Sequence, residues 1–211
     1  MDIINIGVDL DGVLLDFSIM FSKYCNKRFG ERCPIVTDRT VVTDWDWEKW
    51  YHITKEEIKL VWKDIEASKN FWQKLPLINR HEFDALRTSF NKYDKKTNVV
   101  VYFITARSSS AGDNLHLQCI NSLAQYHWKN PQIILSKEKG QIVKNLNIKY
   151  FIDDKVENCI DAKKKNPECN VYIMDASYNK HLTDTNIKRT SSLYHFINDI
   201  WKDKNYKGIL L

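Results

Sequence analysis

Residues 4–17 read Ile4-Asn5-Ile6-Gly7-Val8-Asp9-Leu10-Asp11-Gly12-Val13-Leu14-Leu15-Asp16-Phe17, an apolar run that stops at an Asp-x-Asp-Gly turn. The run from Ile3 to Val8, interrupted only by Asn5 and Gly7, has the texture of a strand buried on both faces. Working outward, 98–105 (NVVVYFIT) and 149–153 (KYFID) repeat the pattern, and 132–135 and 170–174 are shorter versions. Helix-like stretches lie between them over 81–93, 114–128, 140–146 and 156–165. Strands alternating with helices predict an α/β chain with a doubly wound parallel sheet. Residues 193–201 predict a helix packed on that core, and 189–211 carry no catalytic signature.

Residues 17–75 break the rhythm. They hold two candidate helices, 17–29 and 54–68, no convincing central strand, and Trp45, Trp47, Trp50, Trp62 and Trp72. A long excursion in a compact domain usually serves a function. The sequence is therefore divided into a core of residues 1–16 and 76–211 and an inserted helical cap of residues 17–75. Helix-face periodicity explains Trp62 and Ile58 as packing.

Composition narrows the classes. A chain of 211 residues, 43% hydrophobic and 12% aromatic, can bury one substantial core plus a small satellite. Disorder is excluded for most of it. The net charge of +5 is a mild excess that attracts phosphorylated ligands without marking a nucleic-acid coat. Five cysteines with no CxxC pair argue against a disulfide framework or structural zinc and for reduced thiols. No window is apolar enough for a bilayer span, and the first residues lack a basic region followed by a long apolar stretch. A cytoplasmic protein with no membrane partner is expected.

On an ideal strand Asp9 and Asp11 share a face, and ligands of α/β sheets sit at such strand ends. Gly12 lets the chain turn sharply and brings backbone close to a ligand. Two carboxylates so placed repel unless a cation neutralises them, and hard oxygen donors favour Mg2+. A calcium-binding helix–loop–helix is excluded, because its sixth position would be Leu14 and its twelfth Met20. Other strand ends add Thr105 with Arg107 and Ser108 behind it, Lys137 and Lys139 before a helix, and the pair Asp153-Asp154.

The ordered set Asp-x-Asp-Gly-Val, apolar-Thr, Lys and Ile-Asp-Asp resembles the four motifs of the haloacid dehalogenase superfamily of phosphotransferases, over roughly residues 1–16 and 76–180. The resemblance implies Asp9 as nucleophile and Asp11 as general acid and base, in two displacements through an aspartyl-phosphate. It implies Mg2+ held by the Asp9 carboxylate, the Asp11 backbone carbonyl and Asp154, with Asp153 orienting the metal's water shell. Thr105 would bond a phosphoryl oxygen, and a lysine would neutralise the transferring group. Lys139, next to Gly140 and a helix start, is favoured for that role over Lys137 and Lys144. Arg107 is a phosphate or substrate contact, with a solvated arginine as the alternative.

The segment 69–78 (KNFWQKLPLI) and the following HEFDALRTSF resemble the return from cap to core in the 5'(3')-deoxyribonucleotidase family. That resemblance implies a phosphorylated small-molecule substrate, a nucleoside monophosphate, with cap aromatics stacked on its base. Phe17, Phe71, Trp72 and Trp45 or Trp47 are the candidates, and their alternative role is the cap's own core. The second motif departs from the family, since Ala106 follows Thr105 where a hydroxyl is usual. Two other readings stay open: a phosphatase for nucleic-acid ends or another small phosphoester, and a silent phosphate-binding or interaction module. No stable nucleic-acid complex is expected, and a homodimer stays open.

Overall fold

The computed structural model describes residues 3–91 and 98–203. Six strands form one parallel sheet: β1 Ile4–Val8, β2 Val99–Thr105, β3 Gln132–Leu135, β4 Tyr150–Asp153, β5 Asn170–Met174 and β6 Lys188–Thr190. Their order is β3-β2-β1-β4-β5-β6, so the direction of winding reverses between β1 and β4. Such a switch point opens a crevice at the carboxyl ends of the central strands. Asp9 follows β1 there and Asp153 ends β4, and the Asp9 amide donates to the Ile152 carbonyl at 3.0 Å. The apolar runs form these strands because the sheet is buried on both faces: Ile6, Val8, Phe103, Phe151 and Ile152 are inaccessible to solvent.

Among the described residues eight α-helices accompany the sheet: α1 Phe17–Phe29, α2 Trp47–Tyr51, α3 Lys55–Ala67, α4 Arg80–Phe90, α5 Leu115–Ala124, α6 Lys139–Asn145, α7 Val156–Lys165 and α8 Leu193–Lys202. Helices α1, α2 and α3 belong to the excursion, together with a one-turn 3-10 helix over Phe71–Lys74. Asp16 caps α1 by accepting from the Ile19 amide, and Thr54 and Glu57 close a reciprocal cap at the start of α3. The excursion's outgoing and returning strands of chain meet: Leu15 bridges Leu77 antiparallel, the Asp16 amide donates to Pro76 O at 2.8 Å, and the Ile78 amide donates to Leu14 O at 2.9 Å. Phe21, Val61, Ile65 and Phe71 of the excursion join Ile6, Val8 and Phe103 of the sheet in one apolar cluster. The excursion thus packs onto the sheet without a separate core.

Four elements differ from the sequence expectation. The helix expected over 114–128 ends at Ala124, because His127 adopts a left-handed backbone (φ 67°) and turns Trp128 under the sheet. There the Trp128 ring meets Phe103 edge-on at 4.8 Å. Strand β6, Lys-Arg-Thr, has no apolar pattern and forms only because β5 offers its edge. Helix α2 is too short for periodicity and is set by its ends, an Asp46 cap and a left-handed His52. The helix expected over 81–93 spans Arg80–Phe90, and Tyr93 lies outside the described residues.

Helices α6 and α7 pack tightly at Gly140, where an added Cβ would stand 2.8 Å from the backbone carbonyl carbon of Asp161. Gly140→Ala is expected to force the two helices apart and to lower stability by about 1–3 kcal/mol, the usual cost of overpacking. Chemical denaturation measures it, and an unchanged midpoint would show that the contact gives way without cost.

Candidate active site

Asp9, Asp153 and Asp154 each offer a carboxylate oxygen within 4.8 Å of the others, and all three residues are buried. Lys139, the first residue of α6, places its ammonium between two of them, 2.7 Å from Asp9 Oδ1 and 2.8 Å from Asp153 Oδ2. Lys137 and Lys144 are exposed, so Lys139 is the lysine that the fold brings against Asp9. Burial alone would lower the Lys139 pKa, but Asp153 and Asp9 outweigh it and push the ammonium's pKa up. It stays charged. Burial, then repulsion from Asp153, holds the Asp9 carboxyl well above the usual range despite the opposing pull of Lys139. Burial and Asp153 also push Asp154 up to about 7, against the lowering effect of Tyr178. A buried acid cluster with one lysine among three carboxylates calls for further positive charge, which is the electrostatic definition of a cation site.

Asp153 is the most heavily bonded of the three. Besides Lys139 it accepts from the Lys155 amide at 2.8 Å, and the Asn158 Nδ2 donates to both of its carboxylate oxygens at 3.1 Å. Asp154 receives the Tyr178 hydroxyl on Oδ2 and the Asn179 carboxamide on its backbone carbonyl, the latter at 2.8 Å. Gly12, at φ 82°, lies against the same Oδ2, which an added Cβ would approach to 1.9 Å. Only glycine fits the turn there.

The expectation that Asp9 and Asp11 share a strand face does not hold. Strand β1 ends at Val8, and residues 10–15 coil into a tight turn in which Leu14 and Leu15 both donate to Leu10 O. The two carboxylates consequently go to different cations. Asp11 takes a two-pronged bond from Arg107, at 2.6 and 2.8 Å, while Asp9 takes Lys139. Arg107 is buried, lies 4.8 Å over the Trp72 ring and turns Nη1 toward Cys119 Sγ at 3.5 Å. Its guanidinium is engaged with Asp11 on the wall of the cleft. Thr105, at the end of β2, is buried and lines the same cleft.

That cleft, of about 600 Å³, runs from Asp9, Asp11 and Lys139 to a wall of Phe17, Trp45, Trp47, Trp62 and Trp72. Phe17 and Trp72 are nearly inaccessible. Phe17 stacks on Trp62 at 5.7 Å and on Trp72 at 5.8 Å, and Trp72 also carries Arg107 and donates its indole N–H to Ser108 O at 2.7 Å. These two rings, and Phe71, which is fully buried, are held as packing. Trp45 is 39% exposed and Trp62 is half-buried on the cleft wall. Helix periodicity alone had placed Trp62 in the packing; it is both. Tyr178, Asn158 and Arg39 carry no motif, and nothing in a linear reading points to them.

Acids at the ends of β1 and β4, a threonine closing β2, a buried lysine opening the helix after β3 and a helical insert after β1 define a hydrolase of the haloacid dehalogenase class. Solved structures share the fold at low identity. A HAD family hydrolase from Deinococcus radiodurans R1 with bound phosphate and sodium is 10% identical with a TM-score of 0.58, over 98% of this chain and 99% of that one. A HAD-superfamily hydrolase, subfamily IA, variant 1, from Geobacter sulfurreducens PCA is 11% identical with a TM-score of 0.54, over 94% and 96%. No curated protein sequence matches. The family pattern of 5' nucleotidase, deoxy (pyrimidine), cytosolic type C proteins matches residues 2–200, and the chain belongs to that family. It is a phosphatase/nucleotidase hydrolase. No helix among the described residues is long and apolar enough to cross a membrane.

Because Asp154 titrates near 7 in the folded chain and near 3.9 in an unfolded one, the cation-free fold loses stability from this group as pH rises between about 4 and 7. A divalent cation on the acid cluster removes that repulsion. The gain in Tm on adding the cation is therefore expected to be larger at pH 8 than at pH 5 by differential scanning calorimetry. Equal gains would place the cation elsewhere.

Proposed function

We propose that the protein is a Mg2+-dependent phosphomonoesterase that releases phosphate from (deoxy)ribonucleoside monophosphates through an aspartyl-phosphate on Asp9. The observation that carries this reading is the Asp9 carboxylate, pinned by Lys139 at the base of a mononucleotide-sized cleft with an aromatic wall. In this reading residues 1–16 and 76–211 form the catalytic core and residues 17–75 the cap that selects the substrate. The five buried, free cysteines suit a reducing cytoplasm.

The residues fit a hard cation, since the donors are carboxylate oxygens that repel one another. The Asp9 and Asp154 carboxylates and the Asp11 backbone carbonyl would hold Mg2+, with Asp153 positioning Lys139 and the surrounding donors. When bound, the ion would neutralise charge on the phosphoryl oxygens. Asp9 attacks phosphorus, forming an O–P bond as the ester P–O bond breaks. Asp11, released from Arg107 and protonated from solvent, would pass that proton to the leaving oxygen, then take one from the water whose oxygen attacks phosphorus and frees Asp9. Lys139 and the Thr105 hydroxyl hold phosphoryl oxygens throughout. Arg107 keeps Asp11 turned to one side of Asp9 until substrate arrives.

A phosphate-release screen across deoxyribonucleoside monophosphates, sugar phosphates and end-phosphorylated oligonucleotides tests the substrate class, with nucleoside monophosphates expected to be turned over fastest. Asp9→Asn keeps the shape and removes the attacking charge, so turnover should fall by several orders of magnitude, and Asp11→Asn should let phospho-enzyme accumulate. Activity of Asp9→Asn within about tenfold of the parent would sink the covalent route.

Trp62, half-buried on the cleft wall, is the ring on which base stacking is tested. A base–aromatic stack contributes about 1–3 kcal/mol. Trp62→Ala should then raise KM for nucleotides about 5- to 150-fold while leaving a base-free phosphoester nearly unchanged. Equal losses on both substrates would show that the ring only supports Phe17.

A further inference from the structure

The loop after β5 meets both the excursion and the acid cluster. Ser177 Oγ donates to Thr40 O at 2.6 Å. Trp45 leans on the Tyr178 ring with centroids 5.2 Å apart. Arg39 donates to Gly12 O at 3.0 Å, and its positive charge acts on the Tyr178 hydroxyl. That hydroxyl donates to Asp154 Oδ2, the oxygen already pressed against Gly12. We infer that Tyr178 is a positioning residue that couples the excursion to the cation site: its hydroxyl sets the Asp154 carboxylate for the divalent cation, and Trp45 and Arg39 hold the ring that carries it.

The physical case rests on three points. A carboxylate facing two others turns away from them unless something holds it, and one donor on Oδ2 holds Asp154 while leaving lone pairs for a cation. The donor's ring is held from the excursion side, so displacing Trp45 releases Tyr178. The loop itself is anchored separately, because the Asn179 carboxamide donates to Met174 O and Asp154 O, both at 2.8 Å, and accepts from Arg189 at 2.8 Å. Loss of the hydroxyl therefore leaves the loop in place. Coupling of this kind is reciprocal, so a ligand that seats Trp45 tightens cation binding and the cation favours the seated excursion.

The inference rests on the reading of Asp154 as a cation ligand, and the experiment separates the two. Mg2+ is titrated calorimetrically into the substrate-free full chain and into Tyr178→Phe, Trp45→Ala and Asp154→Asn, with Tm recorded in EDTA. Tyr178→Phe should weaken Mg2+ binding about 10- to 100-fold, the usual effect of losing a partner behind a metal ligand, with Tm in EDTA unchanged. Trp45→Ala should weaken it at least about fivefold although the ring never touches the ion. Parent-like affinity in Tyr178→Phe or Trp45→Ala, beside a loss in Asp154→Asn, overturns the coupling and spares the cation site. A drop in the EDTA Tm of Tyr178→Phe also overturns it, since the residue would then be structural. Parent-like affinity in Asp154→Asn overturns the cation reading itself.

Discussion

The ammonium of Lys139, held 2.7 Å from Asp9 and 2.8 Å from Asp153, is the contact on which the rest of the site depends. Three buried carboxylates within 4.8 Å would otherwise push one another apart or take up protons. The fold delivers this charge by starting α6 just past β3 and packing it on α7 so closely that Gly140 has no room for a side chain. Asp153, bonded by the Lys155 amide and by Asn158, gives the ammonium a second fixed point. The packing of α6 on α7 thereby sets where the Lys139 ammonium meets Asp9.

The excursion does for the substrate side what α6 does for the acid side. Its aromatic residues share one apolar cluster with the sheet. Around Trp72 the packing and the chemistry are the same contacts: the ring supports Phe17, carries Arg107 and ties its indole to the loop after Thr105. Arg107 in turn fixes Asp11. A side chain on the excursion is thus two contacts from Asp11. This arrangement occupies rings that a linear reading would offer to a ligand and leaves Trp45 and Trp62 accessible.

Much of the fold was legible because burial on both faces writes itself into sequence. The runs at 3–8, 98–105 and 149–153 can be strands of a central sheet and little else, and each ends at a residue of the site. Elements that lack that pressure were illegible. Strand β6 exists because an edge was free, and α2 is five residues long and defined only by its caps. The end of α5 was misplaced because Trp128 is drawn under the sheet by Phe103, a partner distant in the chain.

The sequence by itself determined the kind of chemistry. Acids, hydroxyl and lysine at successive strand ends follow from local pattern, and parallel strands bring their carboxyl ends together whatever the details. Tertiary structure decided the pairings within that set. It chose Lys139 over two neighbouring lysines, sent Asp11 to Arg107 instead of alongside Asp9, and brought Tyr178 to Asp154 across 24 residues. These choices turn on hydrogen bonds of under 3 Å between residues remote in the chain. Such distances are fixed by how helices and loops pack, and no one-dimensional pattern encodes them.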